Sequence, residues 1–259
     1  MDLHYWPPYG LRLTTPRLEL RLPDLELLDE MAALAVAGVH DPAEMPFSVP
    51  WTDGTPEQVG RSTFQHLLGT VAQWRPEKWA MSFAVLREGE VVGRQDLMAT
   101  DFAVTRQAET GSWLGLAHQG KGIGTEMRAA VTHLAFEGLG ARTVVSAAML
   151  ENPRSLGVSR RIGYRPDGLE VLAVRGQART LQRLRLDRAG WEAHRTVPVR
   201  VTGLEPCLEL FGVAEGERGG AGGADREDGG DGGNGEGGRN GGGGRNGEGG
   251  RNGEGGASR

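Results

Sequence analysis

A glycine-rich loop at residues 119–124, near the middle of this 259-residue chain, most constrains its fold. The loop follows a strand-like run at residues 107–116 and opens into residues 122–138, where apolar side chains recur at helical spacing. Glycines let a backbone approach a phosphate group closely, and the first N–H groups of a helix have no intrahelical partner. The sequence therefore predicts an anion site on a β–loop–α unit. A tight turn with helix-capping glycines and no ligand is the alternative that the loop alone leaves open.

Two commoner glycine patterns do not fit this loop. A Walker P-loop needs Ser or Thr directly after its lysine, but Lys121 is followed by Gly122. A dinucleotide-binding Gly-x-Gly-x-x-Gly pattern needs a glycine where this chain has Thr125. The loop also follows three strand-like runs that look antiparallel. Neither an ordinary P-loop nor a Rossmann domain is therefore expected.

Composition divides the chain near residue 214. Of the 43 glycines, 22 follow Val213, in a stretch of Gly, Glu, Asp, Arg and Asn that is almost free of apolar side chains. Such a stretch cannot bury a hydrophobic core. We expect one folded domain at residues 1–213 and a disordered Gly-rich tail at residues 214–259.

The net charge of −5 is shared between these parts, because nine acidic residues and six arginines in the tail leave about −2 on residues 1–213. A domain with that balance has no overall positive field, so no nucleic-acid partner is expected. The single cysteine, Cys207, excludes an internal disulfide framework. No Cys/His cluster has zinc-ligand spacing, so no metal is expected.

The first 20 residues are broken by prolines and lack a long apolar run, which argues against a signal peptide. No later stretch approaches the roughly 20 apolar residues of a membrane span. The sequence therefore favours a cytoplasmic protein with no membrane partner.

The rest of the domain shows alternating strand and helix patterns. Residues 17–22 alternate leucines with charged residues, as a half-buried strand does, and Asp24 then starts a helical pattern. Thr55 starts a second helix, because Pro56 fits the first helical position and Gln58 completes a capping box. The further predicted elements are a hairpin at residues 81–98, the strand at 107–116, the helix at 122–138, a strand at 142–148, a helix after Asn152 and a hairpin at 164–186.

The loop resembles the Gln/Arg-x-x-Gly-x-Gly/Ala motif of the GNAT (Gcn5-related N-acetyltransferase) superfamily, and the element order resembles that fold over roughly residues 10–190. The runs at 112–115, 152–155 and 163–164 are similar to the RimJ/RimL-like branch, and those at 45–52 and 124–131 resemble an actinobacterial group that includes enzymes associated with succinyl-CoA. The resemblance implies an α+β GNAT fold. In that fold helices flank a central mixed, mostly antiparallel sheet that splays apart between strands 4 and 5.

The resemblance also implies an N-acyltransferase that uses acetyl-CoA or succinyl-CoA and acts on a primary amine of a small molecule or a protein. The pantetheine arm would lie along the fourth strand, and a backbone N–H near Leu114 would stabilise the oxyanion formed by direct attack. The residues expected to bind the donor are Trp113, Leu114, Gly115, Leu116, Gln119, Gly120, Lys121, Gly122, Ile123, Gly124, Thr125 and Asn152. Capping of the following helix is an alternative role for Asn152. Enzymes of this kind are often dimers, which implies a homodimer.

Proton-transfer residues are implied in the same way. Glu109 resembles the glutamate that serves as general base in several GNAT enzymes, although a solvated strand carboxylate is the alternative, and Asp101 is a weaker candidate. Much of the superfamily uses a tyrosine seven residues after the motif asparagine as its general acid, but this chain has Ser159 there. Protonation of the departing thiolate would then fall to Ser155, Ser159 or solvent. The missing tyrosine leaves open a catalytically silent acyl-CoA-binding regulatory module.

The connection between the first two helices would cover the amine site. It contains Phe47 and Trp51, which would either contact the acceptor or fill the core. A succinyl group carries a free carboxylate that needs a positive partner, and Arg94, Arg106 and Arg128 are the candidates for that partner.

Overall fold

Nine strands form one sheet in the computed structural model, which describes residues 3–213. The strands are β1 (Arg12–Thr14), β2 (Glu19–Arg21), β3 (Lys78–Arg87), β4 (Glu90–Thr100), β5 (Gln107–Leu114), β6 (Thr143–Met149), β7 (Arg165–Val174), β8 (Gln177–Asp187) and β9 (Arg200–Thr202). The helices are α1 (Leu25–Ala37), α2 (Pro56–Ala72), α3 (Phe102–Thr105), α4 (Ile123–His133), α5 (Pro153–Ile162) and α6 (Arg188–His194). The predicted tail at 214–259 lies outside the described residues.

The sheet has the order β7-β8-β6-β5-β4-β3-β2-β1-β9, and β5 and β6 are its parallel neighbours. These two strands pair only along Gln107–Glu109 and Thr143–Val145. Beyond that point β5 continues its pairing with β4 to Leu114, and β6 continues its pairing with β8 to Met149. The fourth and fifth predicted strands therefore separate, and the predicted mixed, mostly antiparallel sheet with a splay is confirmed. We call the gap between the two unpaired edges the V.

Helix ends follow the local signals in the sequence. The Asp24 side chain accepts from the N–H of Leu27 and so caps α1. Thr55 and Gln58 form the predicted reciprocal capping box at the start of α2. Helix α4 ends in a π-helical turn at Leu134–Gly138, so the predicted helix at 122–138 is one continuous element.

The segment after β8, for which the sequence predicted no element, completes the core. Leu204, Cys207, Leu208, Phe211 and Val213 are buried in the main apolar cluster. The indole N–H groups of Trp74 and Trp79 donate to the carbonyls of Leu210 and Phe211, at 2.7 and 3.2 Å. Strand β9 also pairs with β1 at the edge of the sheet. These contacts hold residues 200–213 against β1, against Trp74 and against Trp79, which lies at the start of β3.

Within residues 3–213, no helix combines the length and the apolar character that a membrane crossing requires.

Candidate active site

The glycine loop is shaped by two left-handed residues. Gly120 has φ +73° and Gly122, the N-cap of α4, has φ +78°, which glycine adopts without the steric cost of a side chain. In the described part of the chain, the N–H groups from Gly120 to Gly124 donate to no backbone carbonyl. They lie at the positive end of the helix dipole. The loop therefore fits a pyrophosphate, as the sequence predicted for an anion.

A partly buried ion pair braces this loop from the connection between β1 and β2. Glu126, in the first turn of α4, is 6% exposed, and its carboxylate would repel a phosphate if it were unpaired. The Arg17 guanidinium lies 2.6 Å from it, and Thr15 donates to it at 2.6 Å. Arg17 also donates to the Lys121 carbonyl at 3.1 Å. Sequence motifs gave no sign of this pair because its partners are 109 residues apart.

The Gln119 side chain acts as a brace. Its amide donates to the carbonyls of Val39 and Leu114, at 2.8 and 3.0 Å, and its Oε1 accepts from Arg154 at 3.1 Å. The loop is thus fixed to the end of β5, to the end of α1 and to α5. Since this side chain is already engaged, the donor contacts predicted for the loop would come mainly from its backbone and from the exposed Lys121.

The predicted strand residues differ in what they can offer a ligand. Trp113 and Leu114 lie on the stretch of β5 that has no β6 partner. The N–H groups of Gly115 and Leu116 are already used, since they donate to a β4 carbonyl at 3.1 Å and to the Gly38 carbonyl at 3.0 Å. The open edge of β5 is therefore the part that follows Glu109 and ends at Leu114.

The predicted residues on the two helices have local partners. Ile123 is buried in the main core, and Gly124 lies against α5, where a Cβ would meet Val158 at 3.5 Å. The N–H of Thr125 donates to the Gly122 carbonyl at 3.2 Å. Asn152 accepts from the N–H of Ser155 at 3.1 Å, so the capping role of Asn152 is confirmed.

Arg128 lies at the closed end of the V. It is 4% exposed and donates to Ser112 of β5 at 2.9 Å and to Ser146 of β6 at 3.2 Å. Ser146 in turn donates to the Thr110 carbonyl at 3.1 Å. No carboxylate in the described part of the chain pairs with this guanidinium, and burial lowers its pKa, which Tyr164 partly offsets. A cation thus bridges the two strands where their backbone pairing stops.

The opposite face of β4 and β5 carries a group of charged side chains. Glu109 is the last β5 residue that pairs with β6, so it lies at the closed end of the V, where the two strands begin to separate. Partial burial raises the pKa of the Glu109 carboxyl above its ordinary value, and the nearby Asp96 carboxylate raises it further. A raised pKa makes a carboxylate a better proton acceptor.

Asp96 and His66 are site residues that the sequence analysis missed. Asp96 is buried in β4 opposite Gly111, and a Cβ at Gly111 would lie 3.3 Å from its Oδ2, so the glycine leaves that oxygen uncovered. Arg94 donates to Asp96 at 2.6 Å and lies 3.1 Å from His66 of α2. Burial lowers the pKa of His66, and Arg94 lowers it further. The two charged residues in the middle of β4, Arg94 and Asp96, were the available signal. Arg94, predicted for a succinyl carboxylate, is already paired.

An aromatic wall adjoins this charged group. The rings of Phe47 and Trp51 lie 5.3 Å apart, and those of Trp51 and Trp113 lie 5.9 Å apart. Phe47 and Trp51 are half-buried and pack against the cluster of α1 and α2 residues that contains Trp113. They therefore fill part of the core and also leave surface beside the V.

The serines considered for proton donation lie on α5. Ser155 is half-buried in its first turn. Ser159 is 1% exposed, and its hydroxyl has no hydrogen-bond partner among the described residues. The Tyr164 hydroxyl lies 3.1 Å from Thr110 Oγ1, and burial raises the pKa of this phenol, so it stays protonated.

Two sequence candidates lie at the wrong end of β5. Asp101 and Arg106 flank the short helix α3, before β5 begins, whereas the V opens at the other end of that strand. The Arg106 carbonyl accepts from the N–H of Arg142, which fixes Arg106 beside the paired ends of β5 and β6. The structure therefore places Asp101, the weaker general-base candidate, and Arg106, one of the succinyl candidates, away from the V.

A mixed sheet that splays after three parallel pairs, with a glycine loop leading from β5 into α4, is the architecture that the resemblance to the acetyltransferase class implied. A family model described as the acetyltransferase (GNAT) domain matches residues 17–165. The chain therefore belongs to the GNAT acetyltransferase family, as its loop and element order predicted.

Solved structures agree with this assignment. A GCN5-related N-acetyltransferase from Brucella melitensis is 25% identical, with a TM-score of 0.56, and the match covers 71% of this chain and 81% of that one. Mycobacterium smegmatis RimJ, in complex with CoA-disulfide, is 21% identical, with a TM-score of 0.58 and coverage of 69% and 86%. RimL, a ribosomal-protein alpha-N-acetyltransferase in complex with coenzyme A, is 19% identical, with a TM-score of 0.53 and coverage of 67% and 95%. The latter two support the fold.

Proposed function

We propose that this chain transfers an acyl group from an acyl-CoA to a primary amine, by direct attack of the amine within a ternary complex. One observation carries the proposal: the open edge of β5 leads into the unpaired N–H groups from Gly120 to Gly124. The amides of a pantetheine arm need partners like those of a strand edge, and a pyrophosphate needs N–H donors at a helix start. Coenzyme A presents these two chemical groups in series.

Acetyl-CoA is the donor that we propose first, because the family model is one of acetyltransferases. Succinyl-CoA is a second candidate, and Arg128 is the observation in its favour. Its guanidinium lies at the closed end of the V with two serine partners, and its Nε has no partner among the described residues. A buried cation is stabilised strongly by a carboxylate, which a succinyl chain would supply.

Glu109 is the proposed general base. A protonated amine is not a nucleophile, so the acceptor must lose a proton before or during attack. Glu109 lies at the closed end of the V, and Asp96 faces the same side of the sheet, while Arg94 offsets one of these two charges. The excess negative charge favours a cationic amine at this position, and Phe47 and Trp51 would contact the rest of the acceptor.

Ser155 and Ser159 remain the proposed sources of a proton for the departing thiolate, together with solvent. A covalent acyl-enzyme at Cys207 is not needed. That thiol is buried, donates to the Gly203 carbonyl at 3.2 Å, and has its pKa raised by burial to about 11. At neutral pH it is a protonated core side chain, and a thiol in that state is a poor nucleophile.

The test is release of free CoA thiol from acetyl-CoA and, in parallel, from succinyl-CoA. RimL is described as an enzyme of ribosomal proteins, and a related solved structure is described as a spermidine N-acetyltransferase. Spermidine and a short peptide with a free α-amino group therefore represent a small-molecule and a protein acceptor. Amine-dependent release with either acceptor supports the proposal, and the faster donor identifies the acyl group.

The rival function is a silent acyl-CoA-binding regulatory module. It also predicts a rise in melting temperature with acyl-CoA, so binding alone does not separate the two. Stabilisation by acyl-CoA with no thiol release across the amine panel would favour the silent module. Stabilisation by ATP alone would contradict both.

A further inference from the structure

We propose that the ion pair between Arg175 and Asp53 is a latch that holds the acceptor loop, residues 38–54, across the V, and that Arg175 is a positioning residue for acceptor binding. The proposal rests on the proposed function, in which this loop supplies Phe47 and Trp51 to the amine site. Arg175 does not touch the reacting atoms. It acts through the position of the loop.

The latch joins two parts of the fold that are far apart in sequence. Arg175, in the turn between β7 and β8, donates from Nε and Nη2 to the two carboxylate oxygens of Asp53, at 2.9 and 2.5 Å. A third donor, Nη1, lies 3.3 Å from the Pro42 carbonyl. A two-pronged arginine–carboxylate contact fixes orientation as well as distance, which a single lysine contact does not. Arg175 therefore contacts the same loop at two separate points, Pro42 and Asp53.

The two anchors of the loop lie on opposite sides of the V. At its start, the carbonyls of Gly38 and Val39 accept from Leu116 and Gln119, which follow β5. At its end, Asp53 is held by Arg175 in the turn of the β7–β8 hairpin, and β8 of that hairpin pairs with β6. Between them, Met45 packs in a small apolar cluster with side chains of β6, β7 and β8. The loop thus crosses from one half of the sheet to the other, above the place where the halves separate.

The turn that carries the latch has a backbone that does not suit arginine. Arg175 has φ +50° and Gly176 has φ +71°, the pair of positive angles that marks a type I′ hairpin turn. Asn-Gly is the favoured sequence for this turn, because asparagine adopts the left-handed region more readily than arginine. The substitution Arg175→Asn should therefore preserve or improve the turn while removing all three contacts to the loop.

The chain offers a matched control in its other tight hairpin. Glu88 has φ +54° and Gly89 has φ +87°, so the turn between β3 and β4 has the same two-residue geometry. Among residues 3–213, the Glu88 carboxylate pairs only with its neighbour Arg87, at 3.5 Å. The substitution Glu88→Asn makes the same backbone change without touching the acceptor loop.

The first experiment measures hydrogen exchange by mass spectrometry on the full chain without ligand. We expect exchange of residues 38–54 to be about fivefold faster in Arg175→Asn and Asp53→Asn, the range measured for exposed ion pairs, and unchanged in Glu88→Asn. The double variant should be no faster than Arg175→Asn alone, because that substitution already removes the ion pair. The melting temperature of Arg175→Asn should not fall.

The second experiment measures steady-state kinetics with whichever of spermidine or the peptide turns over. KM for the amine should rise about fivefold in Arg175→Asn, with kcat and the dissociation constant for acyl-CoA within about twofold of the unmodified chain. Equal exchange and equal KM in Arg175→Asn and Glu88→Asn would overturn the latch. Faster exchange with an unchanged KM would leave a latch that does not position the acceptor, which also contradicts the proposal. An unmodified chain without thiol release would instead refute the proposed function, and the exchange result would still decide the latch.

Discussion

Replacing Phe211 with alanine should destabilise the domain strongly, although the residue lies well beyond the region that matches the family model. Its side chain is 0% exposed, and the rings of Trp74 and Trp79 lie 5.2 and 4.8 Å from it. Truncation of a fully buried phenylalanine costs about 3–5 kcal/mol, and each aromatic contact adds about 0.5–1.5 kcal/mol beyond area burial. We expect a loss near the middle of that first range, about 4 kcal/mol.

A loss of this size is a large part of the roughly 5–15 kcal/mol that stabilises a typical domain. The assay is equilibrium urea unfolding followed by far-ultraviolet circular dichroism. Tryptophan fluorescence would report local changes at Trp74 and Trp79, so it is the poorer probe here. The midpoint should fall, and the dependence of the free energy of unfolding on urea should stay the same.

The control is Tyr5→Ala, which removes an aromatic ring that is 90% exposed and should change stability by no more than about 0.5 kcal/mol. If Phe211→Ala cost less than about 1 kcal/mol, a value typical of an average point substitution, the C-terminal segment would be a cover on the surface of the core. The view that it completes the core would then be wrong.

Two further predictions concern the chemistry. Glu109→Gln should lower kcat by about a hundredfold or more, with little change in acyl-CoA binding. In the unmodified chain kcat/KM should rise with pH through a pKa above the ordinary glutamate value, since burial and Asp96 raise that pKa and the base must be ionised; the variant should lack this limb. Arg128→Met should leave acetyl transfer within about threefold but reduce succinyl transfer at least thirtyfold, because only succinyl would leave a charge without its buried partner. Equal losses with both donors would make Arg128 a structural bridge between β5 and β6.

Features that depend on neighbouring residues were predictable from the sequence. The capping box at Thr55, the cap at Asp24 and the glycine loop before α4 each involve a few consecutive residues. The alternation of hydrophobic residues located the long strands for the same reason, because it too is read from consecutive residues. The splayed sheet was predicted from the family resemblance that the loop and the order of these elements carry.

Features that depend on distant partners were not predictable. Strands β1 and β9 have three residues each, too few for a period, and they are defined by pairing, β1 with β2 and β9, and β9 with β1. Asp96 and His66 come together only through Arg94 of β4, which pairs with Asp96 and lies 3.1 Å from His66 of α2. The same limit applies to Arg106, because the sequence could not show that it lies beside the paired ends of β5 and β6, before the V begins. Site residues drawn from one local motif were thus placed better than residues contributed singly by separate elements.

The three-pair seam between β5 and β6 has a consequence for the protein between catalytic cycles. A sheet normally hides its interior edges, but here two unpaired edges face each other inside the sheet. Unpaired strand edges invite any extended chain to add to them. Under the proposed function, bound acyl-CoA would also occupy the open strand edge in the V, as an added strand would. The cellular supply of that thioester would then also protect the enzyme from self-association.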